Sequence, residues 1–500
     1  MKPKILIICA IIILTLLTSC GSTATENNKN LPGDNNNING QAETAEEPEK
    51  TDIDKVTEIL RNLPDVDMKG KPFTFLTCDW FGEAVWHVTD ITVEEFTGEA
   101  LNDAKYNRNL AIESKYNCLI KEVNSPSTDD AASKLNKSVK AQDGAYDVFL
   151  SRMQQYQNFG ASGTIIDLNN LEYVDFNNPW WDQRSVESLS IANRLFAVCG
   201  DITTMDKAAT SAIVFNKQLL ADYGLDDPYK IVKSGAWTVD KFMSMSKEIS
   251  LDLNGDGKMD ENDRFGLLYQ RDTVLSFFSG GGEMIGRKDE NDIPYITLTQ
   301  ESAMSRMLYI LESLYDKESC FNVMFLEGDF NIGMDKMFQS DQGLFMWIRM
   351  INIVSLRSMP TDFGILPIPK TDAAQEYYSS DVNSWTGVCL TVPSTNTDYE
   401  NTGIFFEAFA AESSRTVQPA YYDVLLNGII ARDEESLEML DLIFKNRTYD
   451  IGAIGTYGGL NEILYLPMTY DLNVASYVEK RMAKAEKDIG KLVDKINELD

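Results

Sequence analysis

The sequence predicts an α/β chain built in two lobes. Three observations lead there: alternating strand-like and helix-like segments from residue 71, a length beyond one ordinary core, and an N-terminal stretch unlike the remainder. Of 500 residues, about 430 follow a polar N-terminal tract, more than one hydrophobic core usually organises. Lys71 to Cys78 (KPFTFLTC) alternates and is rich in β-formers, so it reads as a first strand. After Thr97, residues Leu101, Ala104, Tyr106, Leu110, Ile112 and Tyr116 fall near helical spacing. Cys118 to Val123 reads as a second strand, Ala131 to Ala141 as a helix, and Tyr146 to Leu150 as a buried third strand. That β-α-β-α-β alternation predicts a doubly wound lobe.

The N-terminus carries a different message. Lys2 and Lys4 precede an unbroken apolar run from Ile5 to Leu14, and Leu17-Thr18-Ser19-Cys20 follows. A basic start, a short apolar run and small residues at the cut describe a secretory signal peptide over residues 1–19. The run falls short of the ~20 apolar residues of a membrane span. Its ending resembles a bacterial lipobox, which implies that Cys20 becomes the mature N-terminus, carries lipid with acyl chains such as palmitate, and holds the protein on the membrane. Residues 20–50 then read as a lipidated cysteine and a disordered tether, since Leu31 and Ile38 are its only large apolar side chains. A flexible coil of ~30 residues reaches about 30 Å.

Charge and residue counts narrow the chemistry. The formal net charge is −32, and removing Lys2 and Lys4 makes the mature chain more acidic still. That balance argues against nucleic acid, whose phosphates demand a basic patch. Beyond Cys20, the cysteines Cys78, Cys118, Cys199, Cys320 and Cys389 are odd in number and irregularly spaced. They suggest buried thiols rather than a zinc site or a disulfide framework. The one histidine, His87, sits in Trp86-His87-Val88 without a surrounding motif and reads as structural. Ser-His-Asp, Cys-His and zinc hydrolysis lack their constellation. No local signature singles out a pair among the acids for glycoside hydrolysis, so no catalytic residue and no organic cofactor are expected.

One loop stands on its own physics. Asp252, Asn254, Asp256, Lys258 (through its carbonyl), Asp260 and Asp263 occupy positions 1, 3, 5, 7, 9 and 12 of an EF-hand-like calcium loop, with Gly257 at position 6. Position 12 is Asp rather than Glu, similar to the dockerin-type variant. The expectation is a structural calcium ion; the alternative is an Asp/Asn/Gly-rich turn without metal.

A set of segments in order is similar to a known family. LNDAKYNRNLAIESKYNCLI (101–120), Tyr146 to Leu150, NPWWD (178–182), LFAVCGD (195–201), IVFNKQLLADYGL (213–225), GAWTVDKF (235–242), FGILPIP (363–369), Trp385 to Pro393 and YYDVLLNGIIARDEES (421–436) follow one another. Together with the lipobox they resemble the family 1, carbohydrate-type extracellular solute-binding proteins of bacterial ABC importers, over most of residues 71–470. The resemblance implies a periplasmic-binding-protein-like, type II two-lobed clamshell, each lobe a mixed sheet flanked by helices, with a helical C-terminus. It implies a first lobe from 71–200 with 350–412 and a second from 201–349 with 413–500. The expected protein is a monomeric lipoprotein on the extracellular face of a Gram-positive-type membrane. It would capture a solute, of which a sugar or oligosaccharide fits best, by hinge closure and deliver it to permease subunits.

Within that frame, aromatic and polar residues at strand ends and crossovers are the ligand candidates: Asp79 and Trp80, Arg152, Asp201, Trp347 with Arg349, and Asp381 with Trp385. A ring covers the apolar face of a sugar while carboxylates and guanidinium groups satisfy its hydroxyls. Trp180, Trp181 and Trp237 read as structural, and Tyr421, Tyr422 and Tyr457 as weaker candidates. The C-terminal stripe of Met482, Ala485, Ile489, Leu492, Val493, Ile496 and Leu499 predicts a helix packed on the second lobe. A tethered carbohydrate-active enzyme, with two carboxylates as acid and base, is the alternative reading.

Overall fold

A computed structural model describes residues 52–78, 91–429 and 434–499. Expectations for Cys20, the tether, Asp79, Trp80 and His87 lie outside the described residues. The strands run β1 (Lys71–Cys78), β2 (Cys118–Ser125), β3 (Val148–Arg152), β4 (Ser211–Asn216), β5 (Phe265–Tyr269), β6 (Gly286–Lys288), β7 (Pro294–Ile296), β8 (Cys320–Asn322), β9 (Gly343–Arg349), β10 (Phe363–Leu366), β11 (Ser380–Asp381), β12 (Val388–Thr391) and β13 (Arg447–Thr448).

They assemble into two main sheets. The first has the order β12-β3-β1-β2 and the second β10-β4-β9-β5-β8. β1 lies parallel to both β2 and β3, and β12 closes the edge antiparallel to β3. Strand period sets what each face of β1 buries. Phe73 and Phe75 go to one side, where Phe73 stacks on Phe405 of the helix Tyr399–Arg415 at 4.2 Å between centroids. Leu76 and Cys78 belong to the other core cluster. All five cysteines after residue 50 are buried, and none of them is in a disulfide.

The helix Ala100–Tyr116 forms as its spacing predicts, and Asn117 ends it in the left-handed region at φ 48° before β2. Ile112 and Tyr116 are buried as expected, but the rest of the buried face is not the expected one. Leu110 is 46 % exposed, whereas Arg108 is 1 % exposed. The Arg108 guanidinium lies 4.0 Å from the Phe409 ring centroid and donates to the Ile91 carbonyl at 2.7 Å. Burial lowers its pKa to about 9, because desolvation disfavours the charged form.

One boundary moves. The expectation placed 350–412 in the first lobe, but β10 pairs antiparallel with β4, Ile365 opposite Val214, inside the second sheet. The chain rejoins the first sheet only at β12, where Leu390 faces Leu150. Two crossovers therefore run side by side, and a bridge from Thr210 to Val382 and a bond from Asn383 N to Ala209 O (2.9 Å) tie them together. The C-terminal helix Val474–Asn497 packs its Val478, Ala485, Ile489, Leu492 and Ile496 stripe inward. It lies against residues 457–468 and also against the helix Tyr156–Ala161.

Candidate functional site

The carboxyl ends of strands are where open α/β sheets leave room for ligands, and here two sheets present such ends to one another. β3 ends at Arg152, β9 at Arg349, and β5 runs out into Gln270-Arg271-Asp272. The crossover 381–387 passes between them.

Arg152 and Trp385 meet: the guanidinium carbon sits 4.2 Å from the ring centroid. Trp385 is half-buried, and it stands on a turn organised by Asn383. Asn383 Oδ1 accepts from Trp385 N and Thr386 N, each at 3.1 Å, while its Nδ2 donates to Asp272 Oδ2 at 3.1 Å. Arg349 donates to Thr386 Oγ1 at 2.9 Å and lies 4.0 Å from Asp272 Oδ2. Burial lowers the pKa of both Arg152 and Arg349, so these cations are held partly stripped of water, where charged contacts gain strength.

Asp381 borders the same pocket as Asp272 and Trp385. Burial raises its carboxyl to about 6, with the hydroxyls of Ser276 and Ser211 opposing the rise. Trp347 takes another place: it is 1 % exposed and its indole N–H donates to Ser276 Oγ at 2.9 Å. It supports the floor beneath Asp381 and offers no open ring face.

Asp201 is not brought to this cluster. It accepts from Lys207 Nζ at 2.9 Å and borders a separate cavity of about 590 Å³ with Trp180, Tyr422 and Phe444. Around it lies a buried ionic group. Asp182 Oδ2 receives Arg447 Nη2 at 2.5 Å, and Arg447 also reaches Asp206 at 3.1 Å. Trp180, Trp181, Trp237, Tyr421 and Tyr457 are all buried core side chains.

Sequence reasoning missed Asp272, Asn383 and Thr386. The rule that selected Arg152 would also have found Asp272, three residues past β5. Beside it, Arg271 lies 5.0 Å from the ring centroid of exposed Tyr465.

In the loop 252–263 the carboxylates are engaged by their own backbone. Asp252 accepts from Gly255 N and Gly257 N at 2.6 and 2.8 Å. Asn254 takes Asp256 N, Asp256 takes Lys258 N, and Asp260 takes Asn262 N. Fully buried Asp263 accepts from Leu253 N and Asp260 N. Among the described residues no three His, Cys, Asp or Glu side chains gather closely enough to hold a metal ion.

Between two sheets joined by paired crossovers, the arrangement sets half-buried Trp385 and Arg152 over buried Arg349, Asp272 and Asp381, with a pocket of about 20 Å³ beside Trp385. That is the layout of a two-lobed solute-binding fold. Residues 121–301 match the model of the bacterial extracellular solute-binding protein family. No curated protein matches the chain. Solved structures with the same fold include UspC from M. tuberculosis, at 14 % identity and TM-score 0.55, covering 83 % of this chain and all of that one. The cyclic alpha-maltosyl-1,6-maltose binding protein from Arthrobacter globiformis aligns at 15 % identity and TM-score 0.54, over 85 % and 100 % of the two chains. The maltose-binding periplasmic protein from Listeria monocytogenes, solved with maltose, aligns at 12 % identity and TM-score 0.52, over 86 % and 99 %.

Proposed function

We propose that this chain is the substrate-binding component of an ABC importer, which captures a saccharide between its lobes and delivers it unaltered to a membrane permease. The observation that carries the reading is the half-buried Trp385 face, backed by Arg152, on the crossover that joins the two lobes. A pyranose presents an apolar face and a rim of hydroxyls. Trp385 covers the first, while Arg152, Arg349, Asp272 and Asp381 serve the second. Ligand that touches both lobes favours the closed arrangement, so capture and closure are one equilibrium. The family of the matched segment and the saccharides held by proteins of this fold support the same class of solute. Calorimetric titration with a panel of neutral oligosaccharides, followed by chromatography of the recovered sugar, tests it. The expected result is saturable heat with intact sugar; heat with cleavage products would favour the tethered enzyme.

The N-terminal pattern supports an extracellular position on a lipid at Cys20, and among the described residues no helix is long and apolar enough to cross a membrane. Labelled palmitate should enter the parent and not a Cys20→Ala variant.

Calcium in the loop 252–263 is a separate part of this proposal. The oxygen spacing supports it, as do Gly255 and Gly257, at φ 73° and 77°, which give the loop its tight path. Binding would draw Asp252, Asp256 and Asp260 away from their backbone partners.

A further inference from the structure

The segment Asp182–Arg194 lies on the first lobe, where Ser185 Oγ accepts from Cys199 N at 2.9 Å and the Leu189 carbonyl accepts from Tyr156 Oη at 2.9 Å. Its roots are fixed there. Trp181 donates its indole N–H to Glu407 Oε2 at 3.0 Å, and Leu195 N reaches Asp167 Oδ1 at 3.0 Å. Between the roots, Arg184 Nη2 donates to Asn446 Oδ1 at 3.4 Å, and the segment meets the second lobe more extensively at two further places.

At the first, Asp182 Oδ2 accepts from Arg447 Nε and Tyr449 Oη, both at 2.9 Å. This contact is buried and lies against Asp206, in the crossover itself. At the second, the turn of the β6–β7 hairpin docks on the turn Ser190–Asn193. Lys288 Nζ donates to Ser190 Oγ at 2.6 Å, to Ser190 O at 3.1 Å and to the Glu187 carbonyl. Asp292 accepts from Ser190 Oγ at 3.0 Å and Asn193 N at 2.9 Å, and its carbonyl takes Ala192 N at 2.9 Å. The hairpin is itself held to the second lobe, because Asp450 accepts from Ile285 N and Gly286 N.

Two further facts set this contact apart from ordinary packing. Between the two places a cavity of about 570 Å³, lined by Glu187, Ser188, Met284 and Gly286, lies along the segment, so the hairpin contact is set apart from the one at Asp182. Ala192, Asn193 and Asp292 also carry φ of 53°, 61° and 63°. Asn and Asp enter that region readily, whereas alanine seldom does, so at Ala192 the surroundings hold an unfavourable backbone in place.

We infer that Lys288 and Asp292, closed on the Ser190–Asn193 turn, form a latch that sets the interlobe angle before any solute arrives. A rotation that parts the two sheets pivots near the crossovers, beside Asp182 and Arg447, and must undo the contact at the far end of the segment as well as shift the C-terminal helix on Tyr156–Ala161. The latch rests on the hinge closure proposed above. Its test uses no solute, so failure to bind saccharide leaves it standing.

The test is a spin-label distance measurement on the solute-free chain, with labels at Lys137→Cys in the first lobe and Glu248→Cys in the second, both exposed. Lys288→Met should shift the distribution to longer distance, and Ser190→Ala should shift it part of the way. Glu290→Ala, in the same hairpin turn but outside these bonds, should superimpose on the parent. If Lys288→Met and Ser190→Ala both superimpose on the parent, the latch is overturned. If Lys288→Met fails to fold, Ser190→Ala alone decides.

Discussion

The guanidinium carbon of Arg152 lies 4.2 Å from the centre of the Trp385 ring, and the pair joins the end of β3 to the turn that leads into β12. One member comes from the first lobe's sheet and the other from the crossover between lobes, so any solute on the free ring face feels both. Trp385→Ala should weaken saccharide binding at least about tenfold, equivalent to ~1.4 kcal/mol, and leave the melting temperature nearly unchanged because the ring is only half-buried. Titration and a thermal melt on the same sample check both halves.

Trp347 should behave in the opposite way. It is 1 % exposed in a strand whose every residue is buried. Trp347→Ala should cost roughly 3–5 kcal/mol of stability through lost packing and remove one of the three hydrogen bonds of the Ser276 hydroxyl. Urea unfolding measures the loss.

Glu407 supplies a pH dependence. Burial raises its carboxyl to about 7, against the hydrogen bonds of Trp181 and Asn178. The unfolded chain releases this proton near 4.5, so the folded state binds more protons in between. The sign is therefore a loss of stability as pH rises from about 4.5 to 7. Glu407→Gln should match the parent at acid pH and exceed it above pH 7 by on the order of 2–3 kcal/mol. Melts across that range give the difference.

Asp182 has the reverse sign. Burial pushes its carboxyl up, but the Arg447 charge and the Arg447 and Tyr449 hydrogen bonds overcome that and hold it below the ordinary value. Its stabilisation is full above the ordinary carboxylate pKa and is lost as pH falls through the lowered one. Asp182→Ala leaves Arg447 buried without this partner and should cost roughly 3–5 kcal/mol, read as a lower urea midpoint at pH 7.

Calcium gives a simple contrast. At 10 mM calcium, an affinity of ~10⁻⁴–10⁻³ M stabilises the fold by about 1.4–2.7 kcal/mol. Asp256→Ala should abolish that gain and leave the melt in chelator unchanged. Equal melts with calcium and with chelator would show that the loop is an ordinary turn.

How much of this was legible in the sequence depended on whether the signal was local. β1, β2 and β3 were readable because alternation and β-formers are written within each segment. The side of the molecule that β10 joins was not, since FGIL carries no mark of the partner it chooses, and β4 lies about 150 residues earlier, beyond any local rule. Trp347 and Trp385 looked alike, each a tryptophan near a strand end. They differ because one lies inside the central strand β9 and the other on the Asn383 turn. Arg108 was hidden for a related reason: spacing assigns a charged residue to solvent, and only the Phe409 ring and the Ile91 carbonyl make its burial tolerable. Asp272 was legible and overlooked.

The most direct measurement is the structure of the protein crystallised with the tightest-binding oligosaccharide. The account predicts an intact sugar ring against the Trp385 face, within hydrogen-bonding reach of Arg152 and of groups on the second lobe. A sugar bound elsewhere with this ring bare, or cleaved products between the lobes, would contradict it.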